Sequence, residues 1–255
     1  MNSRVILILI FVFIATGAFA QTQKQPANST SKTPAKTETK PAANAQQNKA
    51  EVSALTEHFY KKYVTALQWN DYVVAKDALY DLIIENPQND SLIFNLAYFY
   101  YDNQQYASTV LVSQQLLARN PKDINVLEMS AVGYESMGIA DKALQNYESL
   151  YLLTNSIGML YKVAFLQYDL KRYAESLASI DILLANKDID STKVIFNDVE
   201  NKPKEYAMRV SVLNLKGLVT LDHFGDKVAA KKAFDDALAI APDFIPAKQN
   251  LAKVK

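Results

Sequence analysis

The chain has 255 residues, with 27 basic and 27 acidic side chains, two histidines and no cysteine. The missing cysteine excludes disulfides, thiolate metal ligands, cysteine nucleophiles and a lipid anchor on cysteine. Six glycines and eight prolines are few for an all-β chain with many turns, while 49% of the residues are hydrophobic and tyrosine dominates the aromatics.

The first twenty residues open with Arg4, continue as an apolar run from Val5 to Ile14 and close on Ala18-Phe19-Ala20. A basic start, a short apolar core and a small-x-small end form a secretory signal, with cleavage expected before Gln21. The apolar run is well short of the roughly 20 residues that a membrane span prefers. The expectation is an exported chain, periplasmic or secreted, with no membrane span after cleavage.

Residues 21–49 contain Lys24, Lys32, Lys36, Lys40 and Lys49 against Glu38, and no large apolar side chain. Such a segment cannot bury enough surface to offset its ordering entropy, so a disordered Gln/Lys/Pro-rich spacer is expected. Asn28-Ser29-Thr30 has the form of a glycosylation acceptor, relevant only in a eukaryotic secretory pathway. The remainder, 50–255, holds 21 basic against 26 acidic residues. It offers no basic stripe for phosphates, which excludes nucleic acid as the expected partner.

From Thr56 onward a register recurs about every 34 residues. Ala75, Thr109, Ala143, Ser176 and Ala230 occupy one small-residue slot, and Pro87, Pro121 and Pro242 close three units. Counting each unit from Thr56, Asp90, Ile124 and Ile157, slot 8 holds Tyr63, Ala97, Ala131 and Ala164, and Gly217 fits it in a fifth unit. Slot 24 holds Leu79, Tyr147, Ile180 and Phe234, and slot 27 holds Leu82, Leu116, Leu150, Leu183 and Ala237. Asn155 stands where the third unit lacks its proline.

The slots have physical reasons. Small residues at 8 and 20 let two helices of a pair cross closely. Apolar residues at 24 and 27 fill the space between pairs. Proline ends the second helix because it lacks an amide proton and clashes with the preceding turn. One pair leaves an apolar face open, and stacking covers it.

This spacing resembles the tetratricopeptide repeat family over roughly 56–245. The resemblance implies an all-α, right-handed superhelical solenoid of antiparallel helix pairs, about five units long, within 50–255. The departures are Ile93, Leu127 and Leu160 where the family favours an aromatic, present here only as Phe59, and the large Tyr63 at slot 8 of a first, capping unit.

An insertion at about 187–203 separates units four and five. Val194-Ile195-Phe196 is a short apolar patch within it, expected to pack on itself in a lengthened linker or to fold back as a lid, and Pro203 is expected to start the next helix. Asp188, Asp190 and Asp198 do not follow the order of a calcium loop.

In the family the first helix of each pair lines a concave groove. Carried over by register, the groove residues here are Tyr60, Val64 and Gln68; Phe94, Tyr98, Tyr101 and Asp102; Glu128, Val132 and Glu135; Tyr161, Phe165, Tyr168 and Asp169; and Asn214, Leu218 and Asp222. Tyr60, Phe94, Tyr98, Tyr101, Asp102, Glu128, Tyr161, Phe165, Tyr168 and Asp169 are the expected partner-binding residues. An aromatic, mildly acidic groove suits a peptide with apolar and basic side chains. The lysine, asparagine and arginine constellation with which one family subtype grips a terminal carboxylate is not present.

No phosphate loop, HExxH motif or nucleophile–base order occurs, and His58 and His223 lie far apart. The expectation is therefore no enzyme, no cofactor and no metal. It is a protein-interaction scaffold or adaptor of the bacterial cell envelope, or alternatively a structural subunit of an envelope or secretion assembly using its edges and convex face. The export signal, spacer and tyrosine-rich repeats together look similar to exported repeat proteins of Gram-negative bacteria.

Overall fold

The computed structural model describes residues 43–254, with side chains from Ala54 onward. The expected export signal, the Asn28 pattern and most of the expected spacer lie outside the described residues. Five helix pairs follow in order: α1 (Ala43–Gln68) with α2 (Tyr72–Glu85), α3 (Asp90–Asp102) with α4 (Tyr106–Arg119), α5 (Ile124–Ser136) with α6 (Ala140–Thr154), α7 (Ile157–Asp169) with α8 (Tyr173–Ala185), and α9 (Met208–Phe224) with α10 (Lys227–Ile240). Strands β1 (Lys193–Asn197) and β2 (Pro203–Ala207) stand between the fourth and fifth pairs, and α11 (Ile245–Lys253) follows the fifth. Each helix packs on its predecessor, so the architecture is an all-α stack of antiparallel pairs with one hairpin.

The small-residue slot explains the pairing. Ala75, Thr109, Ala143, Ser176 and Ala230 have no exposed surface, and neither do Ala97, Ala131 and Ala164 at slot 8. In the fourth pair the two slots touch directly, the Ser176 hydroxyl donating to the Ala164 carbonyl at 2.8 Å. Leu79, Leu82, Leu116, Tyr147, Leu150, Ile180, Leu183, Phe234 and Ala237 are buried between pairs. The largest continuous core runs from the third pair to the C-terminal helix and takes in the hairpin.

Turns inside the pairs share one device. Asn70, Gln104, Gly138, Lys171 and Gly225 all have positive φ, between 51° and 74° with the related helix end at Asn155 included. In the first four, the next residue donates its amide to a carbonyl five residues back: Asp71 to Ala66, Gln105 to Tyr100, Ile139 to Tyr134 and Arg172 to Gln167, at 2.8–2.9 Å. This closure satisfies carbonyls that the helix end would otherwise leave open. Where the closing proline is missing, left-handed Asn155 ends α6 and donates to Tyr151 at 2.8 Å.

Three boundaries differ from the sequence-based expectation. Helix α1 begins at Ala43, within the expected spacer, because after Pro41 the run ANAQQNKAEVSAL holds good helix formers and no breaker. Pro203 opens a strand, and the next helix begins only at Met208. The 187–203 insertion becomes an antiparallel hairpin, with Lys193 opposite Ala207 and Asn197 opposite Pro203. Val194 is buried in the core, and Phe196 and Tyr206 reach Phe244 on the turn before α11. The Phe196 and Tyr206 rings each lie 5.0 Å from the Phe244 ring, edge to face. Lys204 and Tyr206 both reach the Asp243 carboxylate. The apolar patch is thus docked on the last turn of the solenoid.

The aspartates of the insertion serve the backbone and an arginine. Asp190 pairs with Arg209, and Asp198 accepts the amides of Glu200 and Lys202 at 2.8 and 2.9 Å to hold the hairpin turn.

Candidate partner-binding groove

On α3, α5 and α7 the expected residues fall on one stripe each, at spacings of four and three: Phe94, Tyr98 and Tyr101; Glu128, Val132 and Glu135; Tyr161, Phe165 and Tyr168. Such spacing places them on a single helix face. Tyr98 is 55% exposed, Asp102 and Asp169 are exposed, and Phe94, Tyr101, Glu128, Phe165 and Tyr168 are half-buried. Tyr60 is 57% exposed on α1. These helices hold their stripes outward because the opposite faces carry the buried slots Leu96, Ala97, Leu127, Ala131, Leu160 and Ala164.

Neighbouring stripes communicate. The Tyr98 and Tyr101 rings lie 6.5 Å apart on α3. The Tyr101 phenol is pushed up by burial and then by the charge of Glu128 on the next stripe. Glu135 accepts a hydrogen bond of 2.7 Å from the buried Tyr147 hydroxyl. It also accepts Lys162 at 2.8 and 3.1 Å, joining α5 to α7. Burial pushes the Tyr147 phenol strongly up, and the Glu135 charge adds to it. Tyr168 donates to Asp222 at 2.6 Å, carrying the face on to α9.

Two carboxyls in this face are raised above their ordinary range. Burial raises Glu128. Asp169 is exposed as a residue, yet its neighbours desolvate the carboxyl enough to raise it as well, and the Glu135 charge adds to it.

Tyr161 and Asn214 are corrected by the structure. Tyr161 has no exposed surface and shares a 2.8 Å hydrogen bond with Ser211, because α9 lies over that end of α7. Its ring packs 4.7 Å from Phe165, so it supports a groove residue from beneath. Asn214 is buried under α11, where it accepts Asn250 at 3.0 Å. Neither position is therefore open on the face. Sequence reading also passed over Lys162, whose position on α7, one residue after Tyr161, brings a cation among the carboxylates. Its signal was a lone lysine in a run otherwise apolar and aromatic, from Ile157 to Leu166.

His58 is exposed on α1, and His223 packs 5.4 Å from Tyr173, whose ring lies 5.9 Å from that of Tyr168. Among the described residues no group of three or more histidines, aspartates or glutamates could hold a metal ion. No helix among them is long and apolar enough to cross a membrane.

Paired helices on a recurring register, small crossing slots and an open face along the first helices define a tetratricopeptide-type repeat fold. No family model matches the chain, and no curated protein does. Solved structures do share the fold. YrrB, a TPR protein with an unusual peptide-binding site, superposes with a TM-score of 0.59 at 11% identity, over 84% of this chain and 98% of that one. A MamA protein superposes with a TM-score of 0.51 at 14% identity, over 64% of this chain and 79% of that one.

The expectation of a periplasmic or secreted chain is corrected: the structures that share the fold give it no support, and it is withdrawn.

Proposed function

We propose that the chain is a protein-interaction scaffold that holds a peptide or protein partner along the face formed by α3, α5 and α7. The observation that carries this reading is the run of exposed and half-exposed rings, Phe94, Tyr98, Tyr101, Phe165 and Tyr168, on aligned stripes of successive pairs. Aromatic anchors in a partly desolvated face contribute most of the energy in many interfaces. Asp102, Glu128 and Asp169 give the same face an acidic character. The likeness to YrrB, whose peptide-binding site is unusual, agrees with this use of the fold.

A second reading has its own observation. Trp69, the single tryptophan, is 78% exposed at the first turn, beside exposed Tyr72, Val73 and Val74. An apolar patch of that kind suits an assembly contact away from the groove. Affinity capture from native extract separates the two readings. With a Tyr98/Tyr101/Phe165 alanine variant, the partner should be lost. A partner retained by that variant and lost on Trp69→Ser/Val73→Ser would make the chain an assembly subunit instead.

A further inference from the structure

We infer that the seam of α2 with α3 is a second docking face, which takes an acidic side chain from an otherwise apolar protein segment and holds its carboxylate with Lys76 and Tyr80. The inference goes beyond the groove and holds whichever partner the groove takes.

Measured contacts join the face. Tyr72, Lys76 and Tyr80 stand four residues apart on α2 and so share one row. That row lies on two rings of α3. The Tyr72 ring is 6.3 Å from the Phe99 ring. The Lys76 ammonium stands 5.9 Å from the centre of Phe99 and 5.8 Å from that of Tyr100. The Tyr80 and Tyr100 hydroxyls meet at 2.6 Å. Phe99 points about 100° further round α3 than Tyr98, so the row lies beside the groove stripe and not in it.

The donors of this row lack an acceptor. Lys76 is half-buried on the rings, and among the described residues no ion pair or hydrogen bond reaches it. Lys61 and Lys62 on α1 each have a carboxylate. In the Tyr80–Tyr100 contact one hydroxyl donates to the other, which leaves one proton over. Tyr100 is buried and Tyr80 exposed, so the spare proton finds its outlet at Tyr80. The acids of α2 nearest in sequence are engaged elsewhere: Asp77 and Asp81 reach Lys62, and Asp71 accepts the Val74 amide. An ammonium and a hydroxyl proton one helical turn apart match a carboxylate, which only accepts.

The surroundings set the rest of the partner. Val73, three residues before Lys76, and Ile84, four after Tyr80, are exposed, as are Tyr72 and Trp69. Such a surface suits an apolar segment. A carboxylate within that segment is drawn to a cation that has given up part of its water to the rings. Bulk charge works the other way, since residues 50–255 hold 21 basic against 26 acidic side chains. A preference for acid is therefore the mark of this face and not of the whole chain.

The test uses the full chain and three fluorescein-labelled decapeptides of alternating leucine with glutamate, glutamine or lysine, read by fluorescence anisotropy. The glutamate peptide is expected to bind about tenfold more tightly than the glutamine peptide at low salt, with the gap shrinking as salt screens the charges. Lys76→Gln should bring the gap below about threefold, Lys76→Arg should keep it, and Tyr80→Phe should narrow it by about threefold. Trp69→Ser/Val73→Ser should weaken all three peptides. Equal binding of glutamate and glutamine peptides, a gap unchanged in Lys76→Gln, or no binding at all would overturn the inference. So would peptides lost in Tyr98→Ala/Phe165→Ala and retained in Trp69→Ser/Val73→Ser, which would place them in the groove and leave the groove reading standing. Circular dichroism melts of each variant establish that all are folded.

Discussion

Gly217 on α9 lies directly against the ring of Phe234 on α10. A methyl group on Gly217 would stand 2.3 Å from the nearest ring carbon, inside any permitted contact. Phe234 has no exposed surface and cannot swing aside. This is the slot 8 to slot 24 contact of the fifth pair. The large ring at 24 is matched by the loss of every side-chain atom at 8.

Gly217→Ala is therefore expected to destabilise the fold by about 1–3 kcal/mol, the usual cost of overpacking a fixed core. Urea unfolding followed by circular dichroism measures it. Phe234→Leu in the same background should recover part of the loss, since the smaller side chain vacates the contested volume. Failure of that rescue would place the strain elsewhere.

Ser113 is the weak member of slot 24. The other pairs put Leu79, Tyr147, Ile180 and Phe234 there, whereas Ser113 buries a hydroxyl with no hydrogen-bond partner among the described residues. An unsatisfied buried hydroxyl costs about 1–3 kcal/mol, so Ser113→Ala should stabilise the second pair by about 1 kcal/mol. A rise in the urea midpoint with unchanged slope would confirm it.

The turn slot makes a prediction with opposite signs at equivalent positions. Gln104 and Lys171 adopt φ of 56° and 60° with side chains that disfavour it, and Gly138 adopts 74° freely. Gln104→Gly and Lys171→Gly should each gain about 0.5–1 kcal/mol after the unfolded-chain entropy of glycine is subtracted. Gly138→Ala should lose about 1 kcal/mol from conformation alone, since an added Cβ meets nothing within 4 Å. Thermal melts of the three variants test the slot as a unit.

Glu128 links pH to stability. Burial raises its carboxyl above 4.5 in the folded chain, so the folded state binds a proton more tightly than the unfolded one. Stability that is present below about pH 4.5 is then lost as pH rises through the folded value, and stays lost above it. Glu128→Gln removes the ionisation. It should stabilise the chain at pH 7 by less than about 1 kcal/mol, given the solvent that reaches the group. The difference from wild type should vanish near about pH 3.5, where both carboxyl states are protonated. Melting curves across that range check the sign.

Phe244 holds the hairpin. It is fully buried beneath Phe196 and Tyr206. Phe244→Ala should cost about 3–5 kcal/mol and free the hairpin first. Hydrogen exchange should then speed up at Val194 and Phe196 before it does in α5 or α6. Uniform acceleration would mean that the hairpin and solenoid unfold together.

The repeat was legible in the chain because each slot is a local steric demand repeated at a fixed spacing. Ala75, Thr109, Ala143, Ser176 and Ala230 announce helix crossings by their size, and all five are buried. Tyr98, Tyr101 and Phe165 sit on the expected stripes for the same reason, since their orientation follows from the helix that carries them.

The sequence by itself determined the all-α repeat, its register and the aromatic composition of its open face, because those depend on residues within one pair and the next. Tertiary structure alone decided which of those rings stay open. Tyr161 and Asn214 share the register of exposed Tyr60 and half-buried Phe94 and Glu128, yet α9 and α11 cover them. It also decided that Val194-Ile195-Phe196 pairs with a strand that begins at Pro203 and carries Lys204 and Glu205, because Phe244, almost fifty residues away, supplies the apolar surface on which both strands rest. Periodicity encodes contacts at short and regular separations; burial at the end of a stack is settled by whatever part of the chain arrives there.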